Sequence, residues 1–315
     1  MAHALALGER GVGRTANNPA VGCVIVKNDR IVGRGWTQAS GRPHAEAVAL
    51  AQAGDAANGA TVYVTLEPCA HHSERGPACA DLLLTARPAR VVIAATDPDP
   101  RTAGGGIKKL HAAGIDVNIA VLEVEAKASM AGYFSRMERG RPSITLKLAT
   151  ALDGAIALGD GSSRWITGEA ARAHAHLERA RCDAILVGSG TVRADDPVLD
   201  VRLSGLEERS PRRVMLGNGS APAGWEVIGS PHDVASLDCN NLLIEGGAAT
   251  ASSFLQAGLV DRLLLYRAPI LIGGGKSCIG DIGLNSLDDA HGKWQLMDTR
   301  QLGKDRLEVY AKSNN

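Results

Sequence analysis

The stretch TLEPCAHHSERGPAC, Thr65 to Cys79, gathers two cysteines and two histidines in a chain that holds 6 cysteines and 9 histidines over 315 residues. Upstream, PHAEAVAL (43–50) adds His44 two residues before Glu46, at the start of an Ala-rich run with helical spacing. Zinc held by three protein ligands, with one position open, lowers the pKa of water towards neutrality. A carboxylate beside that water, not itself a ligand, can take its proton and pass it to a leaving amine. His-x-Glu at a helix start sets an imidazole on the metal and a carboxylate next to it. A cysteine after a proline, at the start of the next helix, gains thiolate character from the helix N-terminus and from the metal. These roles fall on His44, Glu46 and Cys69.

Around this segment the chain alternates strand-like and helical runs. VGCVIV (21–26) and RIVGRGW (30–36) flank Lys27, Asn28 and Asp29, a hairpin signal. HAEAVALAQAG (44–54) reads as a helix closed by Gly54, ATVYVTLEP (60–68) as a strand, ADLLLTAR (80–87) as a helix and ARVVIAATDP (89–98) as a strand. GGGIKKLHAAGI (104–115) turns from glycines into a helix, and DVNIAVL (116–122) reads as a closing strand. At RMERGRPSITLKLAT (136–150) the pattern restarts, with Pro142 ahead of a new strand, so domains of 1–142 and 143–315 are expected. The second half alternates again through SITLKLA, the helix EAARAHAHLERARC (169–182), DAILVG, RRVMLG, NLLIEGG, a helix near 249–257, and DRLLLYRAPILIGG. Strands alternating with helices indicate two three-layer α/β domains.

Hydrophobic residues at 45% and charged residues at 22% suit globular domains, and aromatics at 3% leave the cores to Val, Leu, Ile and Ala. Lys+Arg and Asp+Glu each total 34, so the chain carries no net charge. It therefore lacks both the basic footprint and the stacking platforms of a nucleic-acid binder, which favours a small-molecule substrate. No apolar run approaches the roughly 20 residues that span a bilayer, and no membrane partner is expected. MAHALALGERGVGRT has no basic region ahead of its short apolar stretch, so it reads as an amphipathic helix and not as a signal peptide. Scattered cysteines without an export signal point to reduced thiols and a cytoplasmic location.

His-x-Glu followed by Pro-Cys resembles the zinc-dependent cytidine-deaminase superfamily, whose signature ends in P-C-x-x-C. Here AHHSERGPA separates Cys69 from the next cysteine, Cys79. That longer spacing, with TLEPCAHH, resembles the deaminase domain of the RibD family of bifunctional riboflavin-biosynthesis proteins, with a loop one residue longer than the family usually has. The resemblance implies zinc (Zn2+) on His44, Cys69 and a third ligand. Cys79, just before the helix at ADLLL, is the preferred third ligand; His72, which keeps a Cys-x-x-His spacing, is the alternative. Glu46 is then the catalytic proton carrier, and with Cys79 as ligand His71 and His72 face the substrate or hold the loop, His71 being the expected substrate contact. TANNPAVGCVIV (15–26) resembles the family's T-x-P-N-P-x-V-G segment and implies that Asn18 meets the pyrimidine edge. DPDPRTAGGGI (97–107) resembles its D-P-x-P-x-x-x-G-x-G-I turn, with Gly105 where a basic residue is common. A glycine-rich turn into a helix is also a candidate anion cradle.

In the second half no G-x-G-x-x-G follows a strand. KLATALDG (147–154), SSRWITG (162–168), DAILVGSGTVRADDPVLDVR (183–202), LLIEGG (242–247) and LVDRLLLYRAPILIGG (259–274) instead resemble the family's reductase domain, whose fold is like that of dihydrofolate reductase. Strand ends are expected to deliver Thr150 and Asp153, Thr191 and Asp195, and Glu245 with Gly246 and Gly247 to one cleft. The resemblance implies NADPH against Thr150, Trp165, Thr191, Asp195 and Gly247. It implies a ribosyl substrate against Ser163, Leu199, Arg202 and Glu245, with the Arg202 guanidinium suited to a 5′-phosphate. Asp200 stands where the family often has threonine, Asn218 where serine is common, and Lys147 is either a proton relay or a strand-edge charge. The implied function is two-step. Deamination of 2,5-diamino-6-(5-phosphoribosylamino)pyrimidin-4-one comes first, then hydride transfer from NADPH to C1′ of the opened ribose, in a homo-oligomer.

Overall fold

The hairpin called for by Asn28 and Asp29 forms because both residues take positive φ, 50° and 58°, as a tight turn between right-twisted strands requires. It opens the first of two compact units, Met1–Gly140 and Arg141–Asn315. The structure is a computed structural model that describes residues 1–71, 73–163 and 165–313.

In the first unit the order is α1 (Ala2–Gly8), β1 (Gly22–Lys27), β2 (Arg30–Trp36), α2 (Ala45–Ala53), β3 (Thr61–Leu66), α3 (Cys79–Ala86), β4 (Arg90–Ala95), α4 (Gly105–Ala112), β5 (Asp116–Asn118), α5 (Glu123–Ser129) and α6 (Ala131–Arg139). The sheet runs β2-β1-β3-β4-β5, with β3, β4 and β5 parallel. The two-residue period of a strand divides its faces. Cys23, Ile25, Val62 and Val64 pack with Ala45, Ala49 and Ala53 of α2 on one face, while Val24 packs with Ala4 and Leu7 of α1 on the other. Fully buried Leu83 and Ile93 contribute about 1.5–3 kcal/mol each to this core. Helix α2 lies unusually close to β2: a Cβ on Gly35 would sit 2.1 Å from the Ala45 carbonyl oxygen. The close seat fixes where α2 begins. The segment 116–122 departs from the expected strand, because pairing stops at Asn118 and Ile119, Val121 and Leu122 are exposed. Two helices for which the sequence reading has no counterpart, α5 and α6, complete the unit.

The second unit contains β6 (Ser143–Thr150), β7 (Ala155–Ala157), α7 (Glu169–Ala180), β8 (Ala184–Gly188), α8 (Ser189–Asp195), β9 (Arg212–Leu216), β10 (Glu226–Ile228), β11 (Asn241–Ile244), α9 (Ala248–Gln256), β12 (Arg262–Arg267), β13 (Lys276–Ser277), β14 (Trp294–Leu302) and β15 (Asp305–Lys312). Its main sheet runs β10-β9-β8-β11-β6-β12-β15-β14, parallel as far as β12 and antiparallel beyond. Ile144, Leu146 and Leu148 of β6 share a core with Phe254 of α9; Leu264 and Tyr266 of β12 face Ala171 of α7 on the opposite side. Among the described residues no helix is long and apolar enough to cross a membrane.

Candidate active sites

In the first unit, His44 caps the N-terminus of α2, Glu46 lies in that helix's first turn, and Cys79 is the first residue of α3. Cys69, in the loop after β3, reaches the same point. His44 Nδ1 is 3.3 Å from Cys79 Sγ and 3.6 Å from Cys69 Sγ, and the three donor atoms lie within 4.8 Å of one another. Tetrahedral zinc at ordinary bond lengths separates nitrogen and sulfur ligands by about 3.6 Å, so this donor set fits one zinc ion with a fourth position to spare. His72, the alternative third ligand, lies outside the described residues.

The two sulfurs are electrostatically linked. The Cys79 thiol hydrogen bond holds the Cys69 thiol down to about 4, and the Cys79 backbone N–H also donates to Cys69 Sγ at 3.3 Å. That same bond to Cys69, followed by burial, pushes the Cys79 thiol up. Cys69 thus has the more acidic thiol of the pair; a metal ion takes either sulfur as thiolate. Glu46 is 3% exposed, and burial raises its carboxyl above the ordinary value against the pull of His44. A carboxyl raised in this way is suited to exchanging protons near neutral pH.

A cavity of about 250 Å³ opens beside the triad, lined by Asn18, His44, Glu46, Cys69 and His71 among others. His71 Nδ1 lies 3.2 Å from Thr102 Oγ1, and Asn18 Nδ2 donates to the Thr15 carbonyl at 3.2 Å. The far wall holds residues to which the sequence reading gave no role. Tyr133 of α6 donates its hydroxyl to Asp97 at 2.8 Å, and burial pushes the Asp97 carboxyl up to about 6. Asp99 is gripped by Arg101, whose hydrogen bonds hold that carboxyl down. The glycine-rich turn expected to cradle an anion is already filled. Glu67 accepts the N–H groups of Gly104, Gly106 and Ile107 there, which corrects that expectation.

In the second unit, strand alternation builds the site. β11 pairs Ile244 with Leu146, so Glu245 and Lys147, one residue further along each strand, turn to the opposite face together. Their charges lie 3.8 Å apart. Helix α7 presents Arg172, His176 and Arg179 along one stripe, and Arg179 clasps Glu245 through two bonds of 2.7 and 2.9 Å. Burial alone would raise Glu245, but Lys147 and Arg179 outweigh it and hold the carboxyl at about 2. Lys147, Ser163, Trp165, Arg172, His176, Arg179, Arg202 and Glu245 line a cavity of about 220 Å³. Arg179 and His176 were not singled out from the sequence, because a helix rich in His and Arg reads as a solvated face.

His176 Nδ1 lies 3.1 Å from the Asp200 carbonyl oxygen and 3.2 Å from the Arg202 backbone N–H, and the same Asp200 carbonyl accepts from Arg179 at 2.9 Å. Arg202 itself is 62% exposed, with Asp200 Oδ1 3.5 Å from its Nε.

The residues expected against NADPH lie elsewhere in the unit, apart from Trp165, which is exposed and stacked by Arg172. Thr150 ends β6, Thr191 and Asp195 lie in α8 just after β8, and Gly247 caps α9 just after β11. Since β8, β11 and β6 are parallel neighbours, these residues line the carboxyl edge of one sheet, the usual ligand edge of such sheets. Thr150 Oγ1 is buried there without a hydrogen-bond partner. The donor set and the open glycine turn fit a dinucleotide. Two expected residues have other work. The Leu199 side chain packs in a core cluster with Ile185, Val187 and Leu243, leaving only its backbone for a ligand. Asp153 accepts the N–H groups of Ile272 and Gly273 and pins that loop.

Residues 1–95 match the family described as cytidine and deoxycytidylate deaminase zinc-binding region, and residues 142–222 and 233–307 match the RibD C-terminal domain. The chain is 39% identical to the riboflavin biosynthesis protein RibD of Escherichia coli, over 97% of this chain and 96% of that one. The chain belongs to the RibD family. The solved structure of RibD from Acinetobacter baumannii is similar at 36% identity and a TM-score of 0.88, covering 99% of this chain and 98% of that one. A Thermotoga maritima structure, described as a diaminohydroxyphosphoribosylaminopyrimidine deaminase/5-amino-6-(5-phosphoribosylamino)uracil reductase, shares 32% identity and a TM-score of 0.88, covering 99% and 97%. As a RibD protein, the chain is a bifunctional enzyme of riboflavin biosynthesis that couples a zinc-binding deaminase to an NADPH-dependent reductase.

Proposed function

We propose that residues 1–142 deaminate 2,5-diamino-6-(5-phosphoribosylamino)pyrimidin-4-one, and that residues 143–315 then reduce the ribosyl group of the product to ribityl. The observation that carries the first step is the convergence of His44, Cys69 and Cys79 beside buried Glu46 in one cavity. When bound, zinc supplies a Lewis acid that brings the pKa of water towards neutrality. Glu46 receives the proton that water loses and returns it to the departing amine, so that ammonia leaves and oxygen takes its place. Asn18 and His71 orient the pyrimidine, and the Asp97–Arg101 wall closes the far side.

When bound, NADPH supplies the hydride; the chain holds cofactor and substrate in register. Thr150, Thr191, Asp195 and Gly247 hold the cofactor along the carboxyl edge, with Trp165 over the nicotinamide end. Ser163, Arg202, Glu245 and the Leu199 backbone hold the ribosyl substrate, Arg202 on its phosphate. Glu245, ionised through its contacts with Lys147 and Arg179, accepts from ribose hydroxyls.

Chelation of zinc from the full-length protein tests the reading. Ammonia release should stop and return with added zinc, while NADPH oxidation with supplied deaminated substrate continues. Ammonia release that survives complete metal removal overturns it. The reading extends to a cytoplasmic location and to a homo-oligomer; Leu296 and Met297, 51% and 59% exposed on edge strand β14, support the oligomer alone, which sedimentation tests.

A further inference from the structure

Glu67 stands two residues before Cys69, and it is 3% exposed. Its hydrogen bonds come from backbone N–H groups on both sides of the carboxylate. Oε1 accepts Gly106 at 3.0 Å and Ile107 at 3.2 Å; Oε2 accepts Gly104 at 3.0 Å and Asp97 at 3.3 Å. The donors at Gly104, Gly106 and Ile107 belong to the start of α4, where helical N–H groups have no partner of their own. Asp97 belongs to the turn whose carboxyl lines the deaminase cavity. A Cβ on Gly106 would lie 2.1 Å from the Pro68 carbonyl oxygen, so α4 is pressed onto the residue between Glu67 and Cys69.

We propose that Glu67 is a positioning residue for deamination: it locks the Cys69 loop to the Asp97–Ile107 turn, so that the metal ligand and the substrate wall move as one piece. The proposal rests on the zinc-deaminase reading of this site. It also assigns the start of α4 an internal carboxylate in place of a substrate phosphate. Because each oxygen takes two donors, no amide can substitute. In Glu67→Gln an NH2 group faces two N–H groups, and the lost charge weakens the remaining bonds.

The test uses the full-length protein. Glu67→Gln should bind zinc about 10–100-fold more weakly in competition with a chelator, as typical for lost support of a metal ligand. Its cobalt-loaded form should show shifted thiolate and ligand-field bands, its KM for deamination should rise, and NADPH oxidation should stay at the wild-type rate. Coupling is reciprocal. Zinc added to metal-free wild-type protein should therefore slow hydrogen exchange at the Gly104, Gly106 and Ile107 amides, and inorganic phosphate should leave them unchanged. The exchange measurement needs no variant, so it decides the matter even if Glu67→Gln does not fold. Wild-type zinc affinity with an unshifted cobalt spectrum in the variant, exchange indifferent to zinc, or amides protected by phosphate would each overturn the proposal. Failure of the zinc reading has a different signature: wild-type protein that releases ammonia without metal.

Discussion

The two sites solve different problems with different materials. The deaminase site takes its ligands and proton carrier from one stretch, residues 44–79, set on two helix starts and the loop between. The reductase cleft collects Lys147 from within β6, Glu245 from just past the end of β11, Arg179 from α7 and Arg202 from a loop. A metal demands donor atoms at fixed separations, which close spacing on rigid elements supplies. A cofactor that brings its own hydride needs only to be held, and dispersed residues along a sheet edge suffice. Charge differs as well. Burial raises Glu46 and Asp97 in the first unit, whereas cations hold Glu245 down in the second. One site keeps carboxyls that trade protons; the other keeps charges that do not change.

This contrast predicts that single substitutions separate the two activities. Glu46→Gln should cut ammonia release about 10²–10⁴-fold, the usual worth of a positioned proton carrier, with NADPH oxidation intact. If both activities fall together, the separation is wrong. Arg179→Ala leaves the largely enclosed Glu245 without its bidentate partner and should cost about 1.5–3 kcal/mol in the second unit, read by urea unfolding. Reduction should be lost under conditions where ammonia release persists. Gly35→Ala drives a methyl into the Ala45 carbonyl and should cost about 1–3 kcal/mol in the first unit. Ammonia release should weaken there alone, and an unchanged melting profile would show that α2 has room to retreat. The smallest effect concerns pH. Deamination should decline as Asp97 becomes protonated below about 6, and Asp97→Asn should remove that step from the rate profile. The reductase profile should lack it.

How much the sequence disclosed follows the same division. Alternating apolar residues and the Asn28–Asp29 turn announce the strands, and His44, Glu46, Cys69 and Cys79 stand out because their spacing is short. Tyr133 could not be seen as part of the site, because α6 follows a segment whose exposed Ile119, Val121 and Leu122 imitate a strand. Glu67 is spelled out in TLEPC, yet its role depends on N–H groups some forty residues away, beyond any local pattern. The C-terminal hairpin was missed for another reason. β14 is an exposed edge with Leu296 and Met297 adjacent, so its sequence lacks the alternation that marks a half-buried strand. Arg179 reads as a surface helix charge until Glu245 is placed against it.

The clamp that Lys147 and Arg179 place on Glu245 has a metabolic consequence. Acidification that protonates Asp97 leaves Glu245 charged, since the cations hold it far below that range, so the second reaction should lose less than the first. Under acid stress, flux should be throttled at entry, and the deaminated intermediate should be drained without accumulating.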